Sequence, residues 1–263
     1  MTVLVGHMPG TDPDAAVSLG ARLARVIGGP LVVCTVSPPG HDEAAEVTPE
    51  IEGVDVEVEH IEDRSVPGGL ARAAHARQAD LVVLGDGPPR PGSVGARLAR
   101  AADVPVALAG HVALTDGPVT RVTCAFGPGR RARGVLATAA DLARRADAAL
   151  RVASFAPQRG PTVPPEAGLH AERVVVEQWR EQMVGAQREA LEGLGIAGAE
   201  TVAVADDTVE EAVRSLEWAE GDLLVAGASP AGAATRLLIG DPGAAVLEAS
   251  PVPIVLSPGA TAL

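Results

Sequence analysis

The chain has 263 residues, 47% of them hydrophobic and 21% charged, with a formal net charge of −13. That length is enough for one large domain or two small ones with real cores. The negative field repels nucleic acid and anionic membrane surfaces, and no basic stripe offsets it, so neither is expected as a partner. No apolar run approaches the roughly 18 residues of a membrane span. The opening "MTVLVGHMPG" has neither the basic start nor the cleavage site of a secretory leader, and a cytoplasmic location is expected. All 21 basic residues are arginine, and the absence of lysine removes a phosphate-loop lysine and any Schiff base.

In chain order the pattern alternates short apolar runs with amphipathic ones. Strands are expected near 2–6, 30–36, 54–60, 80–85 and 104–109, with helices near 12–27, 67–78 and 93–102. The first helix places Ala16, Leu19, Gly20, Leu23, Val26 and Ile27 on one face. A second series follows, with strands near 121–126, 149–155, 199–204, 222–227 and 252–256. Its helices are expected near 130–147, 165–194, 208–219 and 239–249. The longest of these carries Val175, Val176, Trp179, Met183, Ala186, Ala190 and Leu194 at three- and four-residue spacing. The strands are short and nearly all apolar, as parallel strands buried on both faces require.

The second series repeats the first. "TVLVGHMPG" at 2–10 matches "RVTCAFGPG" at 121–129, and "LARVIGGPLVV" at 23–33 matches "LARRADAALRV" at 142–152, both at an offset of 119. "ADLVVLG" at 79–85 matches "GDLLVAG" at 221–227 at 142, and "VPVALA" at 104–109 matches "VPIVLS" at 252–257 at 148. The second copy therefore gains residues first in its middle and again in its late loop. The middle gain corresponds to a full helix, where the first copy has only the acidic, Pro-rich "PPGHDEAAEVTPEIEG", expected as a loop or one short helical turn. The division expected is 1–110, a linker at 111–120, and 121–263. Alternating β and α units imply parallel sheets with right-handed crossovers.

The segments "ADLVVLG…GSVGARLARAADVPVALA" and "GDLLVAG…LLIGDPGAAVLEASPVPIVL" resemble the C-terminal half of the universal stress protein family, and nearly the whole chain resembles its tandem form. The resemblance implies an α/β fold of two Rossmann-like (adenine nucleotide alpha hydrolase-like) domains. Each would be a five-stranded parallel sheet of order 3-2-1-4-5 flanked by helices, and the two would pair through their last strands. ATP-binding members carry an Asp after the first strand. They also carry a loop of Gly, two residues, Gly, nine residues, Gly and Ser or Thr after the fourth, whose amides and helix N-terminus hold phosphate.

Neither copy keeps that set. In the second, Gly227 and Gly240 have the family spacing, but Pro230 replaces the middle glycine, with Gly232 close by, and Asp241 replaces the hydroxyl. Proline lacks an amide proton, and a carboxylate would meet phosphate with like charge. Asp241 instead suits a helix N-cap, with Pro242 in the first helical position. The first-strand Asp is replaced by Gly127. In the first copy Gly92-Ser93 is kept, Ser93 suiting a helix cap, but Gly85 lies only seven residues before Gly92, the filler "DGPPRP" is stiff and acidic, and Met8, or His7 in a shifted register, stands for the Asp. A register shift would instead bring Asp12 or Asp14 near the site. The cofactor-binding positions are thus Gly85, Gly92, Ser93, Gly227, Gly240 and Asp241, in degenerate form. No cofactor is expected, with ATP or AMP as the alternative.

His7, ending the first strand, is a ligand candidate, and Arg130, Arg131 and Arg133 could draw a small anion. His41, His60, His75, His111 and His170 have no metal-ligand spacing, and no metal is expected. Cys34 and Cys124 sit in apolar runs and read as buried reduced thiols. Thr208-x-x-Glu211 is a capping box. No nucleophile has a base at readable spacing, so the expected protein is non-enzymatic, a stress-response or regulatory protein acting through a homodimer or another protein partner. The alternative is an ATP- or AMP-binding regulator with weak or no hydrolysis, and a true α/β enzyme or flavoprotein is the more distant one.

Overall fold

The structure is a computed structural model. It describes residues 1–7, 14–40, 50–85, 92–110, 117–129, 131–158, 168–228 and 242–258. The first half contains strands β1 (Val3–His7), β2 (Leu31–Ser37), β3 (Val56–Glu62), β4 (Leu81–Leu84) and β5 (Val106–Leu108). Its helices are α1 (Asp14–Ile27), α2 (Val66–Ala76) and α3 (Val94–Ala101). The second half contains β6 (Arg121–Ala125), β7 (Ala149–Pro157), β8 (Glu200–Asp206), β9 (Asp222–Gly227) and β10 (Ile254–Ser257). With them run α4 (Ala132–Ala146), α5 (Gly168–Glu192), α6 (Val209–Ser215) and α7 (Pro242–Ala249).

One ten-stranded sheet runs β3-β2-β1-β4-β5-β10-β9-β6-β7-β8, so each half has the order 3-2-1-4-5 in parallel pairing. At the centre β5 and β10 pair antiparallel, Val106 opposite Leu256 and Leu108 opposite Ile254. An antiparallel pair of equivalent strands places a local two-fold axis between the halves. Strand registers keep the sequence offsets: Val3 lies beside Leu31 and Leu81 as Val122 lies beside Leu150 and Leu223, and Val82 faces Val106 as Leu224 faces Ile254.

Strand residues are apolar because both faces are covered. Val3, Val5, Leu31, Leu223, Val225 and Val255 lie in one core, with α1 and α4 above it, and this core runs through both halves. Leu4, Val32, Val82, Leu224, Ile254 and Leu256 lie in the core on the other face, under α2, α3, α6 and α7. Burying each such side chain contributes roughly 1.5–3 kcal/mol. Close approach of α1 to the sheet requires Gly20, where a Cβ would run into Val5 and come within 3.0 Å of Leu31.

Several expectations shift. The apolar face of α1 is buried, Val26 partly so, but Ala21, Arg22 and Ala24 are buried as well, because α4 packs across α1. Helix α6 stops at Ser215 instead of reaching 219, and Trp218 folds back to donate its Nε1–H to the Val213 carbonyl, 2.7 Å. On α5 Val175 is 46% exposed although its spacing places it with the core, whereas Gln187, outside the apolar stripe, is fully buried. The segment expected as a loop or short turn between β2 and β3 falls mostly on 41–49, outside the described residues.

Candidate functional site

Open α/β sheets take ligands beyond the carboxyl ends of their strands, where the strand order reverses. Here the reversals lie between β1 and β4 and between β6 and β9. The ends of these strands and the starts of α3 and α7 therefore define two equivalent crevices.

In the first half His7, half-buried, ends β1 beside Thr35. Gly85 follows β4, its α-carbon turned towards α1, where a Cβ would touch Ala16 at 3.4 Å. Gly92 has φ +85°, a left-handed conformation that favours glycine. Ser93 is the N-cap of α3, and its hydroxyl accepts the Ala96 N–H at 3.2 Å. The Gly-Ser pair thus has a complete role in starting a helix. Met8, Asp12 and Asp86 lie outside the described residues, as do His41 and His111. Asp14 begins α1.

The register of β2 and β3 brings together a pair that sequence spacing does not show. Ser37 Oγ lies 3.1 Å from His60 Nε2. Among the described residues nothing bonds His60 Nδ1, nor the buried Thr35 Oγ1 nearby on β2. The adjacent carboxylate, Asp63, accepts the Ser65 N–H and pairs with Arg72. A hydroxyl–imidazole pair with no acid to hold the ring falls short of a triad. Its only sequence signal is that β2 and β3 neighbour each other in the implied strand order.

In the second half the position of His7 is taken by Phe126, only 8% exposed and part of the core beneath α4. Its carbonyl accepts Ser154 Oγ–H at 2.9 Å. Ser154 accepts from Gln187 Nε2, also 2.9 Å, and the same amide donates to the Val202 carbonyl. At Gly127 a Cβ would meet nothing within 4 Å, so the backbone there would accept an aspartate. Gly227 closes β9, where a Cβ would come within 3.2 Å of Val135 on α4. Arg131 Nη1 donates to the Ala228 carbonyl at 3.0 Å, tying the start of α4 to the end of β9. Arg133 donates to the Gly193 carbonyl, 2.6 Å. These two arginines of the basic cluster are held by backbone carbonyls. Arg130, Pro230, Gly232, Gly240 and Asp241 lie outside the described residues, and Pro242 begins α7.

The remaining candidates are structural. Thr208 and Glu211 form the expected capping box. Burial pushes the Cys34 thiol up to about 12, Glu59 adding to the shift, and burial alone does the same at Cys124, so both are protonated and inert. Among the described residues no group of His, Cys, Asp and Glu could hold a metal. At the opposite end of the sheet Arg121 binds Asp222 through Nε and Nη2, at 3.1 and 2.6 Å. Arg151, 2% exposed, donates to Thr123 Oγ1 and the Glu217 carbonyl, and stacks over Trp218 at 5.0 Å. Burial and Arg121 push the Arg151 guanidinium down, and Asp222 opposes them.

Two Rossmann-like halves of order 3-2-1-4-5, joined through their fifth strands, with a crevice at the strand ends of each, define a tandem α/β protein. The chain belongs to the universal stress protein family and is a stress-response protein: residues 118–258 match the Universal stress protein family. The universal stress proteins Rv2319c of Mycobacterium tuberculosis (strain ATCC 25618 / H37Rv) and Mb2346c of Mycobacterium bovis (strain ATCC BAA-935 / AF2122/97) are each 30% identical to it. Their alignments cover 98% of this chain and 100% of theirs. The fold matches that of a putative universal stress protein from Pseudomonas aeruginosa UCBPP-PA14, with TM-score 0.60 and 17% identity, over 97% of this chain and 92% of that one. A universal stress protein from Archaeoglobus fulgidus DSM 4304 gives 0.59 and 13%, over 97% and 95%. Among the described residues no helix is long and apolar enough to cross a membrane.

Proposed function

We propose that this protein serves the stress response through its surfaces, as a non-enzymatic regulator that has lost nucleotide binding. The observation that carries this reading is at the end of β6. An aspartate would fit at Gly127 without strain, yet the chain places glycine there and buries Phe126 just before it. Arg131, at the start of α4, is engaged with Ala228. In the first half the retained Gly92-Ser93 serves α3, with the hydroxyl already accepting an amide. No described hydroxyl or thiol has both a base and an orienting acid, which supports a role without catalysis. The reading leaves a protein partner or a further copy as the means of action, and a cytoplasmic setting fits it.

ATP or AMP binding in the first half is the competing reading, favoured by the left-handed Gly92 and extended Ser93 at the start of α3. Acid extraction of freshly purified protein, followed by anion-exchange analysis of the supernatant, separates the two. The proposal expects no adenine nucleotide above trace, whereas near-stoichiometric ATP or AMP would overturn it.

A further inference from the structure

Two aspartates occupy equivalent places in the two halves, and their surroundings differ in charge. Asp222 pairs with β6 at Arg121, as Asp80 meets Thr2 at the foot of β1. Around Asp222 stand three arginines. Arg121 grips it with two N–H groups, Arg151 Nη2 lies 3.8 Å away, and Arg22 reaches in from the first half. Arg22 is 5% exposed and donates to the Pro118 carbonyl at 2.8 Å, and burial lowers its guanidinium against the pull of Glu220 and Asp222.

The same three positions around Asp80 hold Thr2, Val32 and Asp141, with no cation among them. Asp80 Oδ2 accepts the Thr2 N–H, 2.8 Å, and among the described residues Asp80 forms no ion pair. Beside it, between the halves, lies a cavity of about 310 Å³. Its apolar walls include Ile27, Leu81 and Leu142, and its charges are Asp80, Asp141 and Arg145. Asp141 is held by two arginines, Arg145 Nε on Oδ2 and the exposed Arg144 Nη2 on Oδ1, each at 2.6 Å, and Arg145 Nη1 rests on the Met1 sulfur. Both cations are thus engaged at Asp141, and Asp80 is the lining carboxylate without an ion pair among the described residues. By the two-fold relation this cavity is the counterpart of the space that the Arg22 side chain fills on the other side. The molecule itself thus shows what such a position accepts: a guanidinium on a short aliphatic stem.

We propose that the cavity between the halves is a binding site for a small organic cation, a guanidinium or primary ammonium on an aliphatic stem, anchored by Asp80. The apolar walls take the stem, and the net charge of −13 favours cation entry. The volume suits a small molecule, and interfaces between domains are common places for such sites. This inference is independent of the reading of the strand-end crevices.

The test is calorimetric titration of the full chain with agmatine, with thermal unfolding as a second readout. The wild-type protein should show one saturable site and a raised Tm. Asp80→Asn should weaken binding at least about tenfold, the order of one lost charge-assisted contact. Asp80 also holds Thr2, so Ala137→Leu, which narrows the cavity without removing a charge, provides a second variant and should weaken binding comparably. Asp55→Asn, at an exposed carboxylate in the first half, should leave it unchanged. Absence of saturable binding to the wild-type chain would overturn the proposal, as would affinity retained in both cavity variants or lost equally in Asp55→Asn.

Discussion

The two halves share strand order and register yet organise their polar groups in opposite ways. In the second half the buried charges at the foot of the sheet are engaged: Asp222 is held by Arg121, and Arg151 stacks over Trp218 and donates to Thr123. The first half has Asp80 with a single backbone donor. At the carboxyl end the contrast recurs. Ser154 is bonded by Gln187 from α5 and bonds Phe126, whereas its counterpart Thr35 is buried without a partner among the described residues. A duplicated fold needs its apolar pattern to persist. Its polar interior is free to diverge, because each buried hydrogen bond contributes only about 1 kcal/mol.

The largest effect should come from breaking the better-paired half. Asp222→Ala leaves Arg121 and Arg151 without their anion and should cost about 3–5 kcal/mol in urea unfolding. Asp80→Ala removes one hydrogen bond and should cost only about 1–2 kcal/mol. Equal losses would refute the contrast between the two aspartates. Next in size, Ser154→Ala takes one of two acceptors from Gln187 and the donor from the Phe126 carbonyl and should destabilise by about 1–3 kcal/mol, whereas Thr35→Val removes an unbonded hydroxyl and should be neutral or slightly stabilising. Denaturant midpoints at matched m-values would show whether the signs differ.

Smaller and symmetric effects are expected at the caps. Ser93→Ala in the first half and Thr208→Ala in the second should each cost about 1 kcal/mol, measured by thermal unfolding. The thiols should not distinguish the halves at all. With Cys34 and Cys124 both pushed up to about 12 from 9.0, neither should react with Ellman's reagent near pH 8 until the chain unfolds. Because the folded pKa is raised, the unfolded chain loses these protons first. Any contribution of the thiols to stability is therefore level below pH 9.0 and falls as pH rises towards 12.

The architecture could be read from the sequence because it rests on periodicity and repetition. The offsets of 119, 142 and 148 reappear as strand registers, and the order 3-2-1-4-5, which the family resemblance and not the pattern implied, is present in each half. Features that depend on what packs against an element could not be read in this way. Arg22 is buried because α4 crosses α1, a contact between elements more than a hundred residues apart in sequence. Gln187 is buried because it bonds a serine on β7, and Val175 is exposed although it keeps the apolar spacing. Of the site, the roles of Gly92 and Ser93 as turn and cap could be read locally, whereas the Ser37–His60 contact required the pairing of β2 with β3.

The most direct test of the central claim is calorimetric titration of the purified full-length protein with ATP and Mg²⁺, repeated with ADP and AMP. The account predicts no saturable heat with any of the three at high protein concentration. Saturable binding of one nucleotide per chain, abolished by a substitution at Gly92 or at Gly227, would contradict it and locate the surviving site in the first or the second half.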